Sequence, residues 1–431
     1  MAGLIKETVF REKSLTRRIR AAFSPAPALG WLLGILAAVV LEHLFGTLTA
    51  QMLGLPKIPV LFGCVIMLKK PFLIPSILVY LGLIYVLPIT MIARFSASKA
   101  NRLAAALLRY PIWVSVTLHL VLLFVILHIW SDVSAYRVLT LKLTLIAIIV
   151  TLSLNIINGY MGEFSCSHPG FMALGAYASS MVTVNLFVSD KLFGPAHLPP
   201  ALGPFLFPLA LIFGGVVAAL GALVIAIPSF RTRGDYLAII SLAFLFIVKS
   251  LLENLEFLGG PRGLSGQPDV ASLPVVFIWC VGSIWIINNF VRSTLGKALN
   301  AVRDDELAAE AMTVNTRKTK MVAFLFAAFW AGVAGGLFAH VIRYVNPGTF
   351  GIQKLAEVLA MVYFGGLNSV YGSIVGAVSL SLLGEALRPL ELFKWIIIPL
   401  LLILVMIYRP TGLIAFREFN IKQIIQPRRK T

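Results

Sequence analysis

The residues best placed to do chemistry in this 431-residue chain lie in a charged segment, Ser293–Lys320, between two long apolar stretches. The segment holds five basic and four acidic residues, and its acidic residues lie toward the middle of a helical pattern. Ser293 or Thr294 could cap the start of this helix. The apolar stripe of the helix consists of Leu295, Leu299, Val302, Leu307 and Met312. This pattern indicates either a partner-binding helix that rests on the protein by its stripe or an ordinary solvated surface helix.

A second candidate site is the polar, glycine-rich stretch 154–177 at the junction of two apolar runs, with a similar break inside the run 355–387. Irregular backbone at membrane depth is tolerated only where protein buries it or where it lines a wet cavity, and such breaks are typical of solute pathways. These stretches therefore predict a path or gate, with an ordinary solvent-facing turn as the alternative. The residues assigned to it are Asn155, Asn158, Gly159, Gly162, Glu163, Ser165, Ser167, His168, Gly365, Gly366, Ser369 and Gly372.

Motifs for enzymatic chemistry are absent from the sequence. It contains no H-E-x-x-H zinc motif, no nucleophile elbow and no phosphate-binding loop; Gly296-Lys297 lacks the upstream glycine and the following hydroxyl residue. Cys64, Cys166 and Cys280 have no metal-ligand spacing and are interpreted as packing residues. We therefore expect no metal site, no cofactor bound by this chain and no ATP hydrolysis by it.

The composition predicts an all-α polytopic membrane protein. The chain is 59% hydrophobic and 13% charged, whereas soluble domains carry about 25% charged residues. A span needs about 20 apolar residues. The run 355–387 is either one broken helix or two short ones, so eleven or twelve spans are expected. The predicted spans are 29–52, 71–93, 111–130, 137–158, 169–189, 204–227, 236–252, 274–291, 321–341, 355–387 and 391–408.

The net charge of +18 reflects loop placement rather than nucleic-acid binding, because no basic stripe with interleaved aromatic residues occurs. Of the 36 basic residues, 24 lie in 1–27, in 94–110, in the turn 230–235, in 292–320 and in 409–431. The positive-inside rule places these segments in the cytoplasm, and two cytoplasmic termini favour twelve spans. The expected organisation is a basic tail (1–27), an extension with about three spans (28–130), a core (131–415) with a cytoplasmic loop (292–320), and a second basic tail (416–431).

Six runs of sequence, in order, resemble the membrane permeases of branched-chain amino acid ABC importers, and the LivM-type subunit more than its LivH-type partner. They are 154–177, 231–244, 259–265, 295–311, 365–372 and 408–413. The resemblance covers about two-thirds of the chain, from 137 to 415. At 166–169 the chain departs from the family pattern, since Cys-Ser precedes the histidine and proline follows it.

The resemblance implies a multi-subunit importer in a bacterial cytoplasmic (inner) membrane, for branched-chain or other hydrophobic amino acids. Its other parts would be a second, LivH-type permease subunit, two ATPase subunits that hold ATP and Mg, and a periplasmic or extracellular solute-binding protein. The family's ATPase-coupling loop would correspond to Leu295, Gly296, Leu299, Arg303, Asp304, Asp305, Glu306, Ala309 and Glu310. Its external loop would include Gly259, Gly260, Pro261, Gly263 and Ser265.

Two other functions remain open from the sequence. The family also handles urea and short amides. A secondary transporter or channel would need an ion site inside the bundle, for which the candidates are Glu42, Lys249 and Glu357. That alternative leaves the charged segment without a role.

Overall fold

The computed structural model describes residues 26–189, 194–230, 236–409, 411–416 and 419–426. The predictions for most of the N-terminal tail, for Arg231 and Arg233 in the basic turn, and for part of the C-terminal tail lie outside the described residues.

The described residues are almost entirely helical, as the composition predicts. In chain order the helices are α1 (Ala28–Met52), α2 (Cys64–Lys69), α3 (Pro71–Phe95), α4 (Ala97–Leu107), α5 (Ile112–Asp132), α6 (Ala135–Met161), α7 (His168–Phe187), α8 (Pro200–Ser229), α9 (Tyr236–Asn254), α10 (Leu273–Arg292), α11 (Thr294–Asp304), α12 (Glu306–Ala311), α13 (Thr316–Ile342), α14 (Ile352–Gly365), α15 (Val370–Ala386), α16 (Glu391–Tyr408) and α17 (Ile421–Ile425). Two short strands, β1 (Leu264–Ser265) and β2 (Tyr344–Val345), pair antiparallel.

Nine of these helices are long and apolar enough to cross a membrane, counted over the ranges given above: α1, α3, α5 to α10, and α13. They coincide with the first nine predicted spans, so the prediction of an all-α polytopic membrane protein is confirmed. The run 355–387 forms two helices, α14 and α15, of 14 and 17 residues. With the apolar α15 and α16 the count reaches eleven, and α14 would be the twelfth.

The chain divides into two compact units, Met1–Val138 with Asn420–Thr431, and Leu139–Phe419. In the first unit, α1 and α3 pack around a cluster that includes Ala38, Ile77 and Ile84. The same unit encloses an ion pair between Glu42 of α1 and Arg137 of the first turn of α6, at 2.8 Å.

The second unit is built on α7, α8 and α13, which approach one another through small residues. A Cβ on Gly175 would lie 2.2 Å from the carbonyl oxygen of Gly332, and one on Gly335 would lie 2.0 Å from that of Met172. Such contacts drive helix association in lipid, where burial of apolar surface no longer favours it. This core holds in place the adjoining ends of α6, α10 and α13. The candidate site lies at these ends.

Candidate functional site

The first predicted break is a π-helical turn, Ile156–Met161, that ends α6. Gly162 follows with φ of +78°, a conformation that favours glycine. A Cβ on Gly159 would lie 2.0 Å from Asn155 Oδ1. The Asn158 side-chain oxygen accepts a hydrogen bond from the Ser165 backbone at 3.3 Å. π-turns are frequent at functional sites because they displace the backbone from the regular helical ladder.

The second predicted break separates α14 from α15. Gly366 has φ of +128°, and Ser369 caps α15 by accepting a hydrogen bond from the Gly372 amide at 3.1 Å. A Cβ on Gly365 would lie 2.0 Å from the Gly372 carbonyl oxygen, so the two helices meet at backbone distance. The segment 411–416 also binds this break, since Ile414 N donates to the Gly365 carbonyl at 2.9 Å.

The two breaks contact each other through Asn155. Its amide donates to the Ser369 carbonyl at 3.0 Å and to Ser373 Oγ at 2.7 Å, and its oxygen accepts from the Asn368 amide at 3.2 Å. Asn155 is almost fully buried. A buried amide that satisfies two backbone groups and a hydroxyl group holds the two irregular segments in one register.

The charged segment forms two helices, which we call the coupling helices, α11 and α12. Ser293 caps α11 by accepting from the Gly296 amide at 3.4 Å, as predicted. Asp305, with extended backbone, ends α11 and caps α12 by accepting from the Ala308 amide at 3.0 Å. The interruption at Asp305 was not predicted. It arises because an aspartate in extended conformation is a strong N-cap.

The predicted apolar stripe is only partly correct. Leu299 and Val302 of α11 are buried, but Leu295 at the start of α11 is 41% exposed, and Leu307 and Met312 are 67% and 77% exposed. Because the chain turns at Asp305, α12 does not continue the face of α11. The prediction that Leu307 and Met312 rest on the bundle is therefore wrong, and both side chains are exposed instead.

Arg303 joins α11 to the π-turn of α6. Its guanidinium donates to the Gly159 carbonyl at 3.3 Å and to Asp304 Oδ1 at 2.7 Å, and it lies 5.6 Å from the Phe416 ring centroid. A Cβ on Gly162 would lie 2.3 Å from Arg303 Cγ. The absence of a side chain at Gly162 therefore lets the arginine reach the turn.

Lys320, near the start of α13, joins α12 to the segment after the π-turn. Its ammonium nitrogen lies 2.8 Å from Glu163 Oε1 and 2.9 Å from Glu306 Oε2. The neighbouring Glu310 accepts from Thr316 Oγ1 at 2.9 Å. The sequence assigned Glu163 to the path, whereas its side chain contacts the coupling helices through Lys320. Lys320 lies in the predicted cytoplasmic loop but was not among the individually assigned site residues.

The rest of the first break lies largely inside the protein. Ser165, Ser167 and His168 are fully buried, and the His168 ring packs edge-on against Phe171 at 5.8 Å between centroids. Burial raises the pKa of the Cys166 thiol, opposed by the hydrogen bond to Ser241. A solvent-facing turn therefore describes only 162–164, the outer part of the stretch. Solute contact by the assigned path residues stays a prediction.

The predicted external loop lies at the end of the second unit opposite the coupling helices, because α10 and α13 each lead from one end to the other. Gly259, Gly260 and Gly263 have positive φ, and Pro261 lies between them in a 3-10 turn. A Cβ on Gly263 would lie 2.1 Å from the Val345 carbonyl oxygen. These glycines allow β1, with Ser265, to pair with β2. The loop is thus fixed against the end of α13.

The ionisable residues considered for an ion-coupled transporter all have partners. Besides the Glu42–Arg137 pair, Lys249 lies 3.8 Å from Glu253, and Glu357 lies 3.1 Å from Lys354. Among the described residues no group of three or more His, Cys, Asp or Glu side chains could hold a metal ion. The geometry of the site is therefore that of a contact between helices, without a cluster for acid–base or metal chemistry in the part described.

Residues 136–407 match the model of a protein family described as "Branched-chain amino acid transport system / permease component". The chain is 32% identical over 341 residues to the high-affinity branched-chain amino acid transport system permease protein LivM of Escherichia coli (strain K12), covering 71% of this chain and 76% of that protein. LivM of Salmonella typhimurium gives the same identity and coverage. The ribose import permease protein RbsC of Haemophilus influenzae is 22% identical over 293 residues, 63% of this chain and 79% of that protein.

No solved structure gives a significant match. The family match covers more than half of the chain, and its span is the region that contains the two breaks, the coupling helices and the loop 259–265. The chain belongs to the family of branched-chain amino acid transport system permease components.

Proposed function

We propose that this chain is the membrane-spanning subunit of an ATP-binding-cassette importer of apolar amino acids, and that α11 and α12 transmit the movement of separate ATPase subunits to its solute path. The observation that carries the proposal is the pair of contacts from the coupling helices to the π-turn of α6. Arg303 binds the turn itself, and Lys320 binds Glu306 and Glu163 together.

The contacts give a mechanical route from the surface to the path. A displacement of α12 would move Lys320 and Glu163, and a displacement of α11 would move Arg303 and the Gly159 carbonyl. Asn155 lies one turn before Gly159 and holds the second break. A ligand or partner changes a conformational equilibrium only through contacts that differ between the states. The coupling helices offer such contacts to a partner at the surface and to the first break inside, which Asn155 joins to the second.

The exposed side chains of Leu307 and Met312 suit an ATPase groove. Large exposed apolar side chains in an otherwise charged segment are typical anchors for a partner. Four carboxylates lie within three residues of Leu307 in sequence, those of Asp304, Asp305, Glu306 and Glu310. ATP and Mg would be held by the ATPase subunits and not by this chain.

Family membership supports the remaining partners that we propose. A second permease subunit would complete the path, and a soluble binding protein would deliver the solute to the end that carries the loop 259–265. The coupling helices and both termini would face the cytoplasm of a bacterial cell, as the distribution of basic residues predicts.

Co-purification tests the proposal. Leu307→Asp with Met312→Asp replaces both exposed apolar side chains by charge, and we expect the ATPase subunits to be lost from the purified complex. Met52→Asp is the matched control, since Met52 is also 77% exposed but lies at the end of α1, in the other unit. ATPase retained with the double variant, or ATP-independent concentrative uptake by this chain alone in vesicles, would contradict the proposal.

A further inference from the structure

A cavity of about 390 Å³ lies in the second unit between α6, α14, α15 and α16. The lining is mostly apolar, and includes Leu143, Val150, Met361 and Leu402. Binding sites for small molecules are of this size, about 300–1,000 Å³, and combine an apolar wall with a few placed polar groups. The described residues of this wall satisfy that pattern.

Four charged side chains line the cavity together: Lys354 and Glu357 of α14, Glu385 of α15 and Lys394 of α16. Lys354 Nζ lies 3.1 Å from Glu357 Oε2, and Lys394 also attracts the Glu357 carboxylate. Glu385 Oε2 also lies 3.6 Å from Nη1 of Arg388, a mostly exposed arginine outside the lining. The lining side chains themselves carry two positive and two negative charges, so the cavity offers both signs of charge to a solute that carries both.

The helix ends strengthen this charge arrangement. Lys354 and Lys394 lie in the first turns of α14 and α16, where helix dipoles favour a negative group, and Glu385 lies in the last turn of α15, where they favour a positive one. A carboxylate would bind between the two lysines and an ammonium group beside the glutamates. The Lys354–Glu357 pair is partly exposed, so it adds little stability of its own and can exchange partners with a solute.

The cavity follows α6 from Thr140 to Val150, a depth of about 15 Å at 1.5 Å per residue. Its inner wall includes Met361, whose sulfur accepts a hydrogen bond from Thr151 Oγ1 at 3.5 Å. Asn155, which joins the two breaks, lies one turn beyond Thr151. The charged residues lie at the end of α14 to α16 away from the α14–α15 break and from the coupling helices. The cavity thus leads from the opposite end of the unit toward the breaks.

We infer that this cavity is a binding site for a zwitterionic α-amino acid with an apolar side chain, held by Lys354, Glu357, Glu385 and Lys394. The inference rests on the proposed function, and it adds to that function a solute site inside the permease. The uncharged polar side chains of the lining are three hydroxyl groups, those of Thr140, Thr144 and Ser381, which are too few for a sugar. The rival occupant is a zwitterionic phospholipid, whose headgroup and acyl chains would use the same charges and apolar wall.

Equilibrium binding of radiolabelled L-leucine tests the inference, with the full-length chain in nanodiscs and no soluble binding protein. We expect saturable binding that Glu357→Gln and Lys394→Met each weaken at least about tenfold, since each removes one charge-assisted contact. Ala147→Phe keeps every charge but fills the cavity, and should also abolish binding. Lys69→Met and Glu256→Gln, which alter exposed residues outside the lining, are the matched controls and should bind normally.

Two analogues of leucine test the contributions of its carboxylate and its ammonium group separately. Leucinol lacks the carboxylate and 4-methylpentanoate lacks the ammonium group, and each should compete at least about tenfold more weakly than L-leucine. Size-exclusion profiles and thermal unfolding like the wild type's exclude misfolding as the cause of lost binding.

Three results would overturn the inference: no saturable leucine binding to the wild type, wild-type binding in the Glu357→Gln, Lys394→Met and Ala147→Phe variants, or co-purified phosphatidylethanolamine lost from these variants without competition from leucine. The last result would assign the cavity to lipid. None of them affects the test of Leu307 and Met312. If the ATPase subunits bind the wild type and are lost from that double variant, the proposed function stands whichever of these results is obtained.

Discussion

Two sets of charged side chains in this protein differ in how completely they are enclosed. In the first unit, Arg137 donates two hydrogen bonds to Glu42, at 2.9 and 2.8 Å, and a third to the Pro59 carbonyl at 3.0 Å. Tyr80 and Tyr85 also donate to the Glu42 carboxylate. In the second unit, Lys320 is 11% exposed, and its partners Glu163 and Glu306 are 25% and 44% exposed.

This difference in exposure indicates that the two ion-pair networks have different roles. The Glu42 network is closed: its members bond to one another and are shielded from water. Removing one member therefore leaves a buried charge without its partner. The Lys320 network is partly hydrated and shared between two elements, so its pairs add little stability and can exchange. The first therefore holds a unit together, and the second suits a contact that changes during a transport cycle.

The largest expected effect comes from opening the closed network. Glu42→Ala leaves the Arg137 guanidinium buried without its carboxylate, and should lower the free energy of unfolding by about 3–5 kcal/mol. Thermal unfolding of the purified protein measures the loss. The double variant Glu42→Leu with Arg137→Met removes both charges and should recover much of the stability. A single variant as stable as the wild type would show that the network is not closed.

A second prediction concerns the tight packing at the α14–α15 break. A Cβ on Gly372 would lie 2.6 Å from the Ile414 carbonyl oxygen, so Gly372→Leu should cost about 1–3 kcal/mol or more and abolish uptake while membrane insertion continues. Gly282→Leu is the control, because nothing lies within 4 Å of a Cβ there. Uptake by the Gly372 variant equal to that of the control would mean that this region is only a loop.

The next largest effect should come from loss of the contact that Asn155 makes between the two breaks. Asn155→Ala removes the donor to Ser369 and Ser373 and the acceptor for the Asn368 amide, at a cost of about 1–3 kcal/mol. Asn254→Ala removes an exposed hydrogen bond to the Ser250 carbonyl and should cost less than about 0.5 kcal/mol. Equal unfolding temperatures for the two variants would argue against a structural joint.

The smallest effect on stability should follow loss of the shared lysine. Lys320→Met leaves Glu163 and Glu306 able to reach water, so we expect a change of less than about 1 kcal/mol in the free energy of unfolding. A loss comparable to that of Glu42→Ala would remove the distinction between the two networks.

The sequence predicted the elements better than their contacts. Apolar runs gave the nine long helices, and the glycine-rich breaks were found because such composition is unusual inside a span. The Ser293 cap was also predictable, since capping depends on local sequence alone.

Partners from distant elements were not predictable. Lys320 is 157 residues from Glu163, and Arg137, at the start of a predicted span, is 95 residues from Glu42. Periodicity in one segment carries no information about such pairs. The outward turn of Leu307 and Met312 was missed because the stripe was extended across Asp305, although an aspartate followed by a short apolar run is itself a capping signal.

The ratio of solute transported to ATP hydrolysed in a reconstituted complex carrying Lys320→Met tests the coupling proposal most directly. If the coupling helices move the breaks through this lysine, the variant should retain its ATPase subunits and their hydrolysis, yet transport much less solute for each ATP. A ratio equal to that of the wild type would contradict the proposed route from α12 to the path.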